Sequence, residues 1–149
     1  MIKTAVFIIL ISLDLFTKFL IQNNLLLNQS IKINEFFDLV YVQNYGVSFG
    51  LFSDIFYYWV LVVIGLIIVF FIFYLMLFSN KNFEKNAYFL IIIGAFSNIL
   101  DRAKNSYVVD FISFHYNNFY WPAFNLADIY ITIGIIMLLT SLFIKSEDK

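Results

Sequence analysis

The hydrophobic positions fall into four long runs, at about 4–21, 57–78, 87–103 and 126–144, separated by stretches in which polar and aromatic residues mix. A helix crossing the roughly 30 Å hydrocarbon core of a bilayer needs about 20 apolar residues, so each run reads as a membrane span. The third run is the shortest, and its end is polar in "SNILDRAK". That ending predicts a helix that stops at an aqueous cavity or interface instead of in lipid. The first run lacks a small-residue cleavage site and contains Asp14 and Lys18, which marks it as a retained helix and not a removed leader.

Residues 22–56 are too many for a bare turn, and "IKINEFFDLVYVQNYGVSFG" within them is rich in β-branched and aromatic side chains. Partial alternation at Phe37, Leu39 and Tyr41 predicts short strands, with Gly46 and Gly50 as turn or bulge positions. Residues 104–125 form a second long loop, where the lone Pro122 stops any continuous helix and helps to place the start of the fourth. The expected fold is a membrane all-α bundle of four transmembrane helices with a small β-sheet outside it, as one domain over residues 1–149.

Composition agrees: 62% of residues are hydrophobic and 13% charged, and the mean hydropathy is +0.88, values of a membrane protein. A net charge of -1 with scattered cations offers no basic field for nucleic acid, which is excluded as a partner. Cys is absent, so there is no disulfide, thiolate nucleophile or Cys metal site, and the single His115 argues against a His-based one. Neither metal nor cofactor is expected. Four spans would return both termini to the side of the middle loop "SNKNFEKN", and that side carries five of the eight lysines. The positive-inside bias makes it cytoplasmic, although Lys32, Arg102 and Lys104 lie on the other side. "FYYW" and "FYW" then form aromatic belts at the opposite interface, and the two long loops face outward.

Ionisable groups inside a span cost about 2.5–3.5 kcal/mol each at a helix centre, so each needs a reason. Asp14 and Lys18 have the acid-first i, i+4 spacing of a neutralising pair, which serves either helix assembly or substrate contact. Asn98, Asp101 and Arg102 share one helix face as a polar clamp or as part of a site, and the adjacent Asp101 and Arg102 must seek different partners. Asn125 and Asp128 read as an N-cap with an acid in the first turn of the fourth helix. Asp110 is different, because in "SYVVDFISF" neither neighbour can neutralise it and strand alternation turns Val108, Asp110 and Ile112 to one face. If Asp110 and Asp128 meet in a desolvated site, the two cannot both ionise cheaply and one keeps a proton, which makes an acid/base pair. Such a pair could hydrolyse a peptide bond through water. The same acids could instead serve a proton-coupled carrier or a structural bundle.

The motifs go further. "DLFTK" at 14–18, "NYGVSFG" at 44–50, "GAFSNILDR" at 94–102, "VVDF" at 108–111 and "FNLADIYITIG" at 124–134 occur in the order of the lipoprotein signal peptidases (signal peptidase II), which the chain resembles over nearly its whole length. The resemblance implies an aspartic endopeptidase of the bacterial cytoplasmic membrane with four transmembrane helices, an extracytoplasmic β-cradle, and an active site towards the extracytoplasmic face. It implies Asp110 and Asp128 as the catalytic pair, with Asp14, Lys18, Asn44, Gly46, Asn98, Asp101, Arg102, Asn125 and Ala127 as substrate-binding or supporting residues. The implied substrates are diacylglyceryl prolipoproteins, cleaved just before the lipidated Cys; membrane lipids are further partners and globomycin the expected inhibitor. A monomer is expected, since four helices already enclose one site. Phe49, Phe52 and Trp121 are candidates to line the substrate path. The chain departs from the family pattern at Ile93 and Ser97, where Gly is usual, and at Ser48, where Ala is usual. Looser packing of the third helix is expected at the first two.

Overall fold

Unbroken apolar runs without proline satisfy their own backbone polar groups only as helices, and the computed structural model, which describes residues 2–47, 56–117 and 119–144, forms four. The elements are α1 (Ile2–Asn24), β1 (Ser30–Lys32), β2 (Phe37–Asn44), α2 (Tyr58–Phe78), α3 (Asn82–Asn105), β3 (Val108–Tyr116), β4 (Phe119–Tyr120) and α4 (Leu126–Ile144). By length and composition α1, α2 and α4 are able to cross a membrane.

The third helix departs from expectation. It is not the shortest but 24 residues long, beginning at Asn82, ahead of the apolar run, and including the polar "SNILDRAK" as expected. Those turns stay helical because their side chains find partners inside the protein: Asp101 accepts from the Val109 N–H at 2.9 Å and from Asn105 Nδ2 at 2.7 Å. Ser106 ends the helix in the left-handed region (φ 71°), and its N–H returns to the Arg102 carbonyl. α4, α2 and α1 all pack against α3, and its Ser97, Asp101 and Arg102 are buried in protein.

Two glycines set the spacing of α3 and α4. A Cβ on Gly94 would collide with the Ala127 carbonyl oxygen, and one on Gly134 would come within 2.6 Å of the Ala87 carbonyl oxygen. The two contacts lie seven residues apart on each helix, so the pair runs closely packed over two turns. Ile93 and Ser97 do not loosen this seam. Both are fully buried, Ile93 in a core cluster with Ile11 and Tyr130.

The strands form one antiparallel sheet in the order β1-β2-β3-β4. In the β2–β3 pairing Phe37 faces Phe114 and Asn44 faces Val108, with a bulge between Leu39 and Val42. That bulge breaks the alternation expected for Phe37, Leu39 and Tyr41, and Tyr41 is buried with Leu25 and Val109. Gly46 lies in the bend after β2; Gly50, Ser48, Phe49 and Phe52 fall outside the described residues. At the junction of α1, β2 and β3, the Tyr107 hydroxyl meets that of Tyr41 at 3.2 Å and accepts from Gln22. Burial, then the bond to Tyr41, pushes Tyr107 up to about 12, so the hydroxyl stays protonated. The segment before α4 is tied to β3, since Phe111 and Ile112 both donate to the Phe124 carbonyl and Phe124 donates back to Ile112. This tie brings the strand bearing Asp110 to the N-terminus of the helix bearing Asp128.

The α3–α4 seam generates a prediction. Gly134→Ala destabilises the protein by about 1–3 kcal/mol, because the Ala87 backbone as well as the Ile91 side chain must yield. Ile136→Ala, at an outward position on the same helix, changes stability by less than about 0.5 kcal/mol. Reversible unfolding in mixed micelles measures both.

Candidate active site

Asn125 is the junction of the site. As N-cap of α4 it donates its own N–H to Asp128 Oδ2 at 3.1 Å and accepts the Asp128 N–H on its side-chain oxygen at 3.1 Å. This reciprocal exchange is a capping box. It also fixes the amide orientation, so Nδ2 points the other way and donates to Asp110 Oδ1 at 2.7 Å. One fully buried side chain thus links both acids.

The second oxygen of each acid has a donor as well. Asn44 Nδ2, at the end of β2, donates to Asp110 Oδ2 at 2.9 Å, and Asn98 Nδ2 on α3 donates to Asp128 Oδ1 at 2.9 Å. Behind Asn98, Lys18 Nζ donates to its Oδ1 at 2.8 Å, pairs with Asp14 at 2.8 Å and lies 3.5 Å from Asp101. Asp14 also accepts the Ala127 N–H at 3.0 Å, so a carboxylate of α1 caps the first turn of α4. The side-chain hydroxyl of Ser97 adds a third donor to Asp14 at 2.6 Å.

These contacts sort the sequence-predicted residues by position. Asn44, Asn98, Arg102, Asp110 and Asp128 line a cavity of about 600 Å³. Asp14, Lys18 and Asp101 lie behind it and reach it through other side chains and through the backbone of Ala127 and Val109. Ala127 contributes its N–H to Asp14 and its carbonyl to the close contact with Gly94. Gly46 supplies the carbonyl that accepts from Arg102, while Asp101 serves the backbone of β3, so the adjacent acid and base have separate partners.

Burial, and next to it the Asp128 carboxylate, push the Asp110 carboxyl up to about 7 against the opposing bonds from Asn44 and Asn125. Near neutral pH both the protonated and the ionised forms of Asp110 are therefore within reach.

Away from the acids the cavity turns apolar. Its walls are stripes at i, i+3, i+4, i+7: residues 61, 64, 65 and 68 on α2, residues 95, 98, 99 and 102 on α3, and residues 128, 131, 132 and 135 on α4. It runs about 10 Å along α4 from Asp128 to Ile135, and Trp121 stands among its lining residues. Sequence reasoning did not find these apolar walls or the hydroxyl of Ser97. Strong hydrophobicity all round a helix hides which side faces a groove, and Ser97 reads as a small packing residue.

Over residues 6–144 the chain matches the family model described as signal peptidase (SPase) II. The chain belongs to the signal peptidase II family. Similar relatives are the lipoprotein signal peptidase of Francisella tularensis subsp. novicida (strain U112), 38% identical over 94% of this chain and 91% of the relative, and that of Rickettsia akari (strain Hartford), 38% identical over 92% and 72%. A solved structure described as a bacterial membrane enzyme superposes with a TM-score of 0.88 at 25% identity, covering 99% of this chain and 90% of the other. A second of the same description gives 0.82 at 26% identity over 94% and 91%. With three apolar helices able to span, this signal peptidase II family member is a multi-pass membrane protein.

The Asp110 environment can be titrated directly. A carbon-13 carboxyl titration finds Asp110 changing near pH 7, and Asp128→Asn moves the change to lower pH because the neighbouring negative charge is gone. The midpoint stays above the ordinary aspartate range, since burial, the larger cause, persists.

Proposed function

We propose that the chain is a lipoprotein signal peptidase of the bacterial cytoplasmic membrane, cleaving diacylglyceryl prolipoproteins immediately before the lipidated Cys with Asp110 and Asp128 as the catalytic pair. The observation that carries this reading is the linkage of the two acids through the fully buried Asn125 at the polar end of an apolar cavity, in a chain of this family. The apolar part suits the membrane-embedded stem of a signal peptide or the acyl chains on the Cys, and substrate reaches it within the membrane. In this reading all four helices cross as one domain over residues 1–149, with both termini cytoplasmic and the sheet with the acids on the extracytoplasmic side. The protein acts as a monomer, with membrane lipids as its surroundings and globomycin as an inhibitor competing for the cavity.

Hydrolysis follows from the shared proton. Asp110 holds it and donates a hydrogen bond to the oxygen of the scissile carbonyl; ionised Asp128 takes a proton from the attacking water. The new C–O bond gives a tetrahedral intermediate, with the Asp110 proton on its oxygen. Collapse breaks the C–N bond, the proton on Asp128 passes to the leaving Cys amine, and the hydroxyl of the new carboxyl returns its proton to Asp110. Asn125 and Asn98 hold the two carboxyls in place throughout. Arg102 and Lys18 are the cations that offset the acids of the cluster.

The test is cleavage by purified protein in lipid. Asp110→Asn and Asp128→Asn each lower kcat by about 100-fold to 10,000-fold or more while the protein stays folded and inserted; near-wild-type turnover by either removes that residue from the pair. A substrate without diacylglycerol is cleaved poorly, and globomycin blocks the reaction. Proton flux into vesicles without cleavage would mark a carrier instead.

The pH dependence has a definite sign. Catalysis needs one proton on the pair, and the Asp110 proton is lost as pH rises through about 7, so kcat/KM falls on the alkaline side of that value. At low pH a second proton silences the base and the rate falls again. A profile rising through pH 8 would contradict the assignment.

A further inference from the structure

We propose that Ser97 is a positioning residue for the hydrolysis, acting through a closed ring of side chains that holds Asn98 against Asp128. The inference rests on the peptidase reading for its kinetic consequence, while the ring itself is a matter of geometry. Ser97 is fully buried on α3, and its hydroxyl donates to Asp14 Oδ2 at 2.6 Å. The same oxygen receives Lys18 Nζ at 2.8 Å, and Lys18 donates onward to Asn98 Oδ1 at 2.8 Å. Ser97 and Asn98 are consecutive residues, so Ser97, Asp14, Lys18 and Asn98 close into a ring through one peptide unit.

The ring has a direction. An ammonium group only donates, so Lys18 compels the Asn98 amide to present its oxygen inward and its NH₂ outward. The outward group is the donor to Asp128 Oδ1. Asp14 anchors the other end by accepting the Ala127 N–H, one residue before Asp128. Two routes therefore run from Asp14 to Asp128, one through the α4 backbone and one through Lys18 and Asn98.

The Ser97 hydroxyl bears on both. Without it Asp14 loses one of three donors in a place that water does not reach. Lys18 is then its remaining side-chain donor and shifts towards the uncompensated carboxylate, away from Asn98. Asn98, no longer held by its oxygen, is free to turn its amide. The base at Asp128 keeps its place on the helix but loses the fixed donor on Oδ1. Binding of a substrate in the apolar cavity does not depend on that donor, whereas the proton transfer does.

The experiment compares wild type with Ser97→Ala, Ser97→Gly and Ser97→Thr in nanodiscs, using a diacylated prolipoprotein peptide and rates per folded enzyme. The ring account expects Ala and Gly to lower kcat about tenfold with KM changed less than about twofold, and Thr, which keeps a hydroxyl, to recover most of the loss. Ala and Gly both remove the hydroxyl without adding volume, so a loss shared by the two belongs to the missing donor. A second readout needs no catalysis: the side-chain amide resonances of nitrogen-15-labelled Asn98, assigned by their loss in Asn98→Asp. They are sharp and distinct in wild type and Ser97→Thr, and averaged or broadened in Ser97→Ala and Ser97→Gly. Unchanged kcat together with unchanged Asn98 resonances would overturn the proposal, and so would a lower melting temperature as the only effect. If the wild-type protein itself failed to cleave, the peptidase reading would fall, while the amide resonances would still decide the ring.

Discussion

A carboxylate withdrawn from water must be given donors, and this constraint organises the protein. Asp14, Asp101 and Asp110 are buried and Asp128 is half-buried at the cavity, and each accepts at least two hydrogen bonds or ion pairs inside the molecule. A hydrogen bond to a charged group is worth about 1.5–3 kcal/mol, and leaving such a group bare costs more. The donors come from α1, β2, α3, the start of β3 and the N-terminus of α4. Satisfying four acids therefore joins elements that hydrophobic packing alone would leave free to slide.

The same need separates two kinds of carboxyl. Asp14 and Asp101 are saturated by backbone N–H groups, an ammonium, a hydroxyl and an amide, and they serve as fixed anchors. Asp110 and Asp128 receive one donor on each oxygen and face the cavity, so each oxygen keeps a lone-pair direction open. The anchors hold the scaffold, and in the proposed reaction the incompletely satisfied pair exchanges the proton. α2 takes no part in this network; it packs on α3 and gives the cavity an apolar wall.

Much of this was legible in the sequence because charges in an apolar chain are conspicuous. Asp110 in "VVDF" and Asp128 behind Asn125 stand out, and the turn chemistry of Asn125 and Asp128 is local enough to be read as a cap. That Asn125 also reaches Asp110 was not legible, because it depends on the tie between Phe124 and β3. The third helix was read over 87–103 with its polar last turn at a cavity or interface, and the five residues before that run were missed because they are mostly polar. Here α3 is the centre of the bundle, and Asp101 is answered by the Val109 N–H. Ser97 looked like a small substitution at a packing position, and only the placement of Asp14 across α1 shows it as a donor.

The central claim is that the two carboxyls act on water and not as nucleophiles, with one proton passing between them and the substrate. A single turnover in water enriched in heavy oxygen tests it most directly, with the released signal peptide and the enzyme both examined by mass spectrometry. The account predicts the label in the new C-terminal carboxyl of the peptide and none in Asp110 or Asp128. Label in either aspartate after one turnover would show an acyl-aspartyl intermediate and contradict it.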